Sequence, residues 1–181
     1  MLRCLFTRCA ALVLLSLPIF GGSIAVDGSW HEFFFRSAPS AVVTCGGGCS
    51  STTSPVAEQT SAPPWTFSGP ATLIVLDLFL QGDRFQVFDN LASLGTTSVV
   101  INNGSNPCVG NIACALGDTN YSRVTLLLGA GPHSLTMDVI QTATGAASGA
   151  AAFQVSGVPE PGTMLLLGAG LVSLGLLRLR K

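Results

Sequence analysis

The sequence predicts an all-β fold built as an antiparallel β-sandwich, and three observations carry that prediction. Short apolar or β-branched runs recur between breaks of glycine, proline and asparagine. Several of them alternate apolar and polar residues with a period of two. Almost no stretch shows the 3.6-residue spacing of an amphipathic helix. The chain has 181 residues, 48% hydrophobic and only 9% charged, against about 25% charged in a typical soluble domain. That deficit argues against a cytosolic enzyme with a salt-rich surface and against a highly charged disordered chain. A formal net charge of −1 carries no footprint of a nucleic-acid partner.

Met1–Ala25 reads as a secretory signal peptide. Arg3 and Arg8 precede the apolar run Ala10–Leu17, Pro18 and Gly21-Gly22 break the helix, and Ser23-Ile24-Ala25 offers signal peptidase a small-x-small site at Ala25. Cys4 and Cys9 lie before the apolar run, so neither is placed for lipid attachment. The exported body, residues 26–157, then begins. It holds the cations Arg36, Arg84 and Arg123 against eight acids, so an acidic body is bracketed by basic ends.

Strands are expected over His31–Arg36, Ala71–Leu80, Phe85–Phe88, Thr96–Ile101, Tyr121–Leu128, His133–Gln141 and Ala151–Val155. In His133–Gln141, Leu135, Met137 and Val139 oppose Ser134, Thr136 and Asp138, the pattern of a half-buried strand. Residues 46–64 are rich in Ser, Thr, Pro and Gly and read as a long flexible surface loop. Cys45, Cys49, Cys108 and Cys114 make an even count in an exported chain, so disulfides are the first reading. Pairing within each short loop is preferred, with cross-pairing open. A four-thiolate zinc site is the alternative, and the spacings suit it poorly.

Candidate chemistry in the body is thin. His31 and His133 are the two histidines, and the chain has no Gly-x-Ser-x-Gly elbow, P-loop, dinucleotide fingerprint or paired-histidine motif. Asp77, Asp83 and Asp89 recur every six residues around Gly82. They either converge on a hard cation such as calcium, or Asp77 pairs with Arg84 or Arg123 while Asp83 and Asp89 cap turns. Asp77 shares a strand face with Leu73 and Val75, where an unpaired charge is costly. Trp30, Trp65 and Tyr121 are the candidates for stacking on sugar, with core burial as the competing reading. No cofactor is expected beyond that possible calcium.

The C-terminus carries a second address. Thr163–Leu177 is uncharged, and Arg178, Arg180 and Lys181 follow as a membrane-stop cluster that the positive-inside rule keeps cytoplasmic. Before the helix stands Val158-Pro159-Glu160-Pro161-Gly162, where two prolines flanking an acid cannot enter a helix or a central strand. This triplet, uncharged helix and terminal basic cluster, over residues 158–181, resembles the PEP-CTERM sorting signal of Gram-negative bacteria. The resemblance implies recognition by an exosortase and removal of the tail near Pro159, Glu160 and Pro161. A plain tail anchor is the alternative; a sortase motif is absent, and a GPI signal would seldom end in cations.

Trp65–Leu73, Asp77–Asn90 and Gly131–Thr136 are in turn similar to the β-rich exported domains that often precede such tails, which implies a jelly-roll-like body and no reaction. The expectation is a non-enzymatic protein that crosses the inner membrane and reaches the cell surface or matrix. There it would accompany exopolysaccharide and biofilm. A carbohydrate- or calcium-binding adhesin and a small surface hydrolase are the alternatives.

Overall fold

The computed structural model describes residues 21–43, 45, 49 and 52–158. Ala10–Leu17, the triplet Pro159–Pro161, Thr163–Leu177 and the basic cluster therefore lie outside the described residues. Among the described residues no helix is long and apolar enough to cross a membrane.

The described elements are strands β1 (Asp27–Arg36), β2 (Ser40–Ala41), β3 (Glu58–Gln59), β4 (Trp65–Asp77), β5 (Arg84–Asp89) and β6 (Ala92–Thr96). Helix α1 (Ile112–Gly117), then β7 (Arg123–Gln141) and β8 (Ser148–Gly157), complete the order. The all-β class is as expected. The strands form one sheet in the order β3-β1-β8-β4-β7-β5-β6, with β2 also paired to β7. Pairing between these strands is antiparallel except for β1 with β3.

Two-layer packing arises inside this single sheet. Three strands separate β1 from β5 in the order, which on a flat sheet would hold them ~19 Å apart at about 4.8 Å per strand. Yet the Phe33 and Phe35 rings of β1 meet the Phe85 ring of β5 edge-on, at centroid distances of 5.4 and 5.1 Å. The sheet therefore coils until its halves face each other, as right-handed strand twist favours. Segment Ser40–Val43 spans the gap: Ser40 pairs with Val139, the Val42 N–H donates to Met137 O, and Val43 exchanges two hydrogen bonds with Phe34.

Period-two alternation fills the space inside. Phe33 and Phe35, Trp65, Leu73 and Val75, Phe85 and Val87, Leu135, Met137 and Val139, and Ala151, Phe153 and Val155 form one buried cluster. Leu76 and Ala152 point to the other face. There, with Trp30, they pack beneath Cys108, Ile112, Ala115 and Tyr121, so the stretch that includes α1 is a lid over the outside of the sheet. The sequence reading missed α1. Its signal is a cap: Asn111 Oδ1 accepts the Cys114 N–H at 2.9 Å.

Other boundaries move for identifiable reasons. β4 stops at Asp77, not Leu80, because Phe79 turns with φ +66°. The expected strand over 96–101 is β6 only to Thr96. Beyond it Thr97 bridges β5, its Oγ1 accepting the Phe85 N–H and its own N–H donating to Phe85 O. Tyr121–Leu128 and His133–Gln141 fuse into β7, with an irregularity in its pairing to β4 opposite Gly69–Ala71. Residues 52–64 of the expected loop lie against the body: Thr52 and Ala57 are buried, and β3 pairs with β1.

Asn90 (φ +48°) and Leu91 (φ +67°) turn the β5–β6 hairpin in the left-handed region, and Leu91 is 88% exposed. A leucine gains no burial there to offset the backbone cost, whereas Asn-Gly suits this two-residue turn. Leu91→Gly is expected to stabilise the fold by about 0.5–1 kcal/mol, read as a higher urea midpoint at unchanged m-value.

Candidate functional site

The described residues carry two clusters of polar groups, and between them they separate the three aspartates. Asp77 ends β4 and Asp83 immediately precedes β5, both essentially unexposed. The Asp77 Oδ2 accepts the Gly82 N–H at 3.4 Å, and Asp83 Oδ1 accepts the Ala143 N–H at 2.6 Å. The two carboxyls also act on each other electrostatically. Arg84 and Arg123 take no part. Arg84 donates to the carbonyls of Thr97 and Ser98, and Arg123 to that of Leu116.

Burial first, then the charge of Asp83, hold the Asp77 carboxyl well above the ordinary carboxylate range, against the backbone N–H groups of Gly82, Asp83 and Ser122. Burial likewise raises Asp83 to about 7, opposed by the Ala143 N–H and the Asp77 side chain. Asp77 Oδ1 is buried with no hydrogen-bond partner while both groups are ionised. Protonation of the pair, which the raised pKa of both groups favours, would relieve that cost. Asp83 also borders a cavity of about 230 Å³ lined by Phe34, Leu78, Phe79, Leu80 and Ser148–Ala150.

Asp89 closes the opposite end of β5, ~20 Å away at about 3.4 Å per residue. Its Oδ2 lies 2.8 Å from His133 Nδ1, and its Oδ1 accepts the Ser134 N–H. His133 Nε2 meets the Gly129 carbonyl at 3.0 Å, and the ring stacks on Phe67 at 5.1 Å. Burial pulls the His133 pKa down, but the bonds to Asp89 and Gly129 together outweigh it, so the pKa is raised. With both nitrogens engaged, this histidine clasps β5 to β7 and has no lone pair turned to solvent. Asp83 and Asp89 thus take backbone N–H groups, as the turn-capping reading expected; a pairing of Asp77 with arginine is not seen.

Sequence reasoning passed over Glu32, although period two places it between Trp30 and Phe34 on the outward face of β1. It is 1% exposed, its Oε1 has no hydrogen-bond partner, and burial raises its pKa to about 7. Next to it His31 Nδ1 is 3.6 Å from Glu58, and burial, opposed by Glu58 and Asp27, lowers its pKa. The aromatic candidates are core residues: Trp30, Trp65 and Tyr121 are buried, with the Tyr121 hydroxyl donating to Phe79 O. The disulfides are the local pairs, Cys45–Cys49 and Cys108–Cys114, so these thiols hold no zinc.

Two further features sit at the ends of the described chain. Ile24 is in the core, its N–H donating to Thr66 O and the Thr66 N–H donating to Gly22 O, so the residues just before the predicted cut at Ala25 lie along β4. At the other end, Gly157 pairs with Ala71 and the Val158 N–H donates to Pro70 O.

The family model of the PEP-CTERM protein-sorting motif matches residues 157–181, starting at the last residue of β8. The chain is therefore a β-rich body that ends in a PEP-CTERM sorting motif, which addresses an exported surface protein to an exosortase. No curated protein and no solved structure matches it.

Proposed function

We propose that this is a surface or matrix protein of a Gram-negative bacterium whose body acts without catalysis. Signal peptidase removes Met1–Ala25, the tail spans the inner membrane transiently, and an exosortase cuts near Pro159, Glu160 and Pro161. The released body, stapled by two disulfides suited to an oxidising compartment, works beside exopolysaccharide in biofilm. The observation that carries this reading is the sorting motif, whose match begins at the last residue of β8. The engagement of both His133 nitrogens supports a structural role for that histidine.

A phosphatase reporter that works only outside the cytoplasm tests the topology. Fused after Gly157 it is expected to be active, and fused after Lys181 inactive. The reverse pattern would overturn the proposal. The adhesin reading would place calcium at the buried pair Asp77 and Asp83, although among the described residues no three His, Cys, Asp or Glu side chains stand together as a metal site. Glycan-array binding with and without chelator tests it, and silence in both conditions removes it. Hydrolysis of simple esters or glycans that vanished in His133→Ala would favour the hydrolase instead.

A further inference from the structure

The two processing segments meet at one stretch of sheet. On the side of β4 that faces β8, pairing with β8 ends at Ala71–Gly157, and Val158 adds one bond to Pro70. Beyond that point the same side of β4 is taken by Gly22–Ile24, bonded to both backbone groups of Thr66. The fit of that segment is close. A Cβ on Gly22 would stand 1.5 Å from Ser61 Oγ, and one on Gly21 would stand 1.6 Å from Pro64 O. A cut after Ala25 takes this segment away and leaves an open strand edge over Thr66–Pro70.

Antiparallel register dictates what can follow Val158 into that edge. With Gly157 opposite Ala71, continuation puts Pro159 opposite Gly69, Glu160 opposite Ser68, Pro161 opposite Phe67 and Gly162 opposite Thr66. Thr66 and Pro70 both direct backbone groups to this side, so the bonding positions of β4 are the even ones. Their partners are Val158, Glu160 and Gly162, which all have an N–H. The prolines fall at the alternate positions, whose backbone groups point away from β4, so no bond to β4 is lost at them. Pro161 would also meet Phe67 where Ile24 now packs.

The geometry points to a strand-docking slot on β4, over Thr66–Pro70, that Gly22–Ile24 and Pro159–Gly162 occupy in turn. While the leader end fills the slot, the slot is closed to the triplet. Once that end leaves, the triplet continues β8 and is held against the body, so leader removal governs how freely the sorting enzyme reaches Glu160. This rests on the proposed cut after Ala25, but its test does not need the cut.

Hydrogen exchange on the full chain in detergent reads it directly. In the wild type, the Ile24 amide is expected to be protected, and those of Glu160 and Gly162 to exchange at the solvent rate. In Gly22→Val, whose side chain collides with Ser61, Ile24 should lose protection while Glu160, Gly162 and Ser68 slow at least tenfold. Protection at Leu73 and Val75 reports that the body is folded; if it is lost, Ile24→Asp serves as the second displacing variant. Adding Glu160→Pro should abolish the gain at Gly162. A displaced leader end with Glu160 and Gly162 still at the solvent rate would overturn the proposal. Separately, the N-terminus of the natural product tells whether the cut itself occurs after Ala25.

Discussion

Phe85→Ala is expected to cost about 3–5 kcal/mol, enough to unfold much of the population of a domain this size at room temperature. Phe85 is fully buried, and its ring joins β5 to Phe33 and Phe35 across the coiled sheet. Truncation removes the contact that holds the two halves face to face and leaves a void that neighbouring strands, tied by their ladders, fill only partly. Urea unfolding checks the size. A double-mutant cycle with Phe35→Ala checks the cause, with an expected coupling of about 0.5–1.5 kcal/mol for an edge-on pair. Additive losses would mean that β1 and β5 do not face each other in solution.

Stability is also expected to fall as pH rises from about 5 to 8. Glu32 and Asp83 have native pKa values near 7, and Asp77 is raised as well. A carboxyl with a raised native pKa binds its proton more tightly when folded. Its contribution is complete below the unfolded pKa near 4 and is lost as pH climbs through the native value. His133, also raised, adds a loss that starts near 6.5; His31, lowered, works the other way and penalises acid. The optimum therefore lies on the mildly acidic side of neutrality.

The loss by pH 8 is on the order of 3 kcal/mol for the Asp77–Asp83 pair taken together. Asp77→Asn keeps a hydrogen-bond donor and removes a charge. It should match the wild type near pH 5, exceed it by about 1–3 kcal/mol at pH 8, and flatten the profile between. An unchanged profile would show that the two carboxyls do not titrate as a pair. Calcium that stabilises the wild type at pH 8 but not the variant would instead mark a cation at the pair.

Much of this body is legible in its residues, and what is not has physical causes. Alternation along His133–Gln141 puts Leu135, Met137 and Val139 inside because a strand's period is fixed by its pleat. Short spacing likewise favours Cys45–Cys49 and Cys108–Cys114, because close cysteines need little chain to meet. Coiling of the sheet is another matter, since contact between Phe35 and Phe85 depends on twist accumulated over intervening strands. The carboxyl pair shows the same limit. Equal spacing cannot tell that Gly82 turns Asp83 back onto Asp77 while β5 carries Asp89 away to His133. Ile24 is the sharpest case, for a residue written as part of a disposable leader packs in the core.

The most direct measurement is the intact mass of the natural product from its own host and from a host lacking the sorting enzyme. The expected product begins at Val26 in both, and loses the segment after the Pro159–Pro161 triplet only where the enzyme is present. A product that begins at Met1 and keeps Arg178, Arg180 and Lys181 in both hosts would contradict the account.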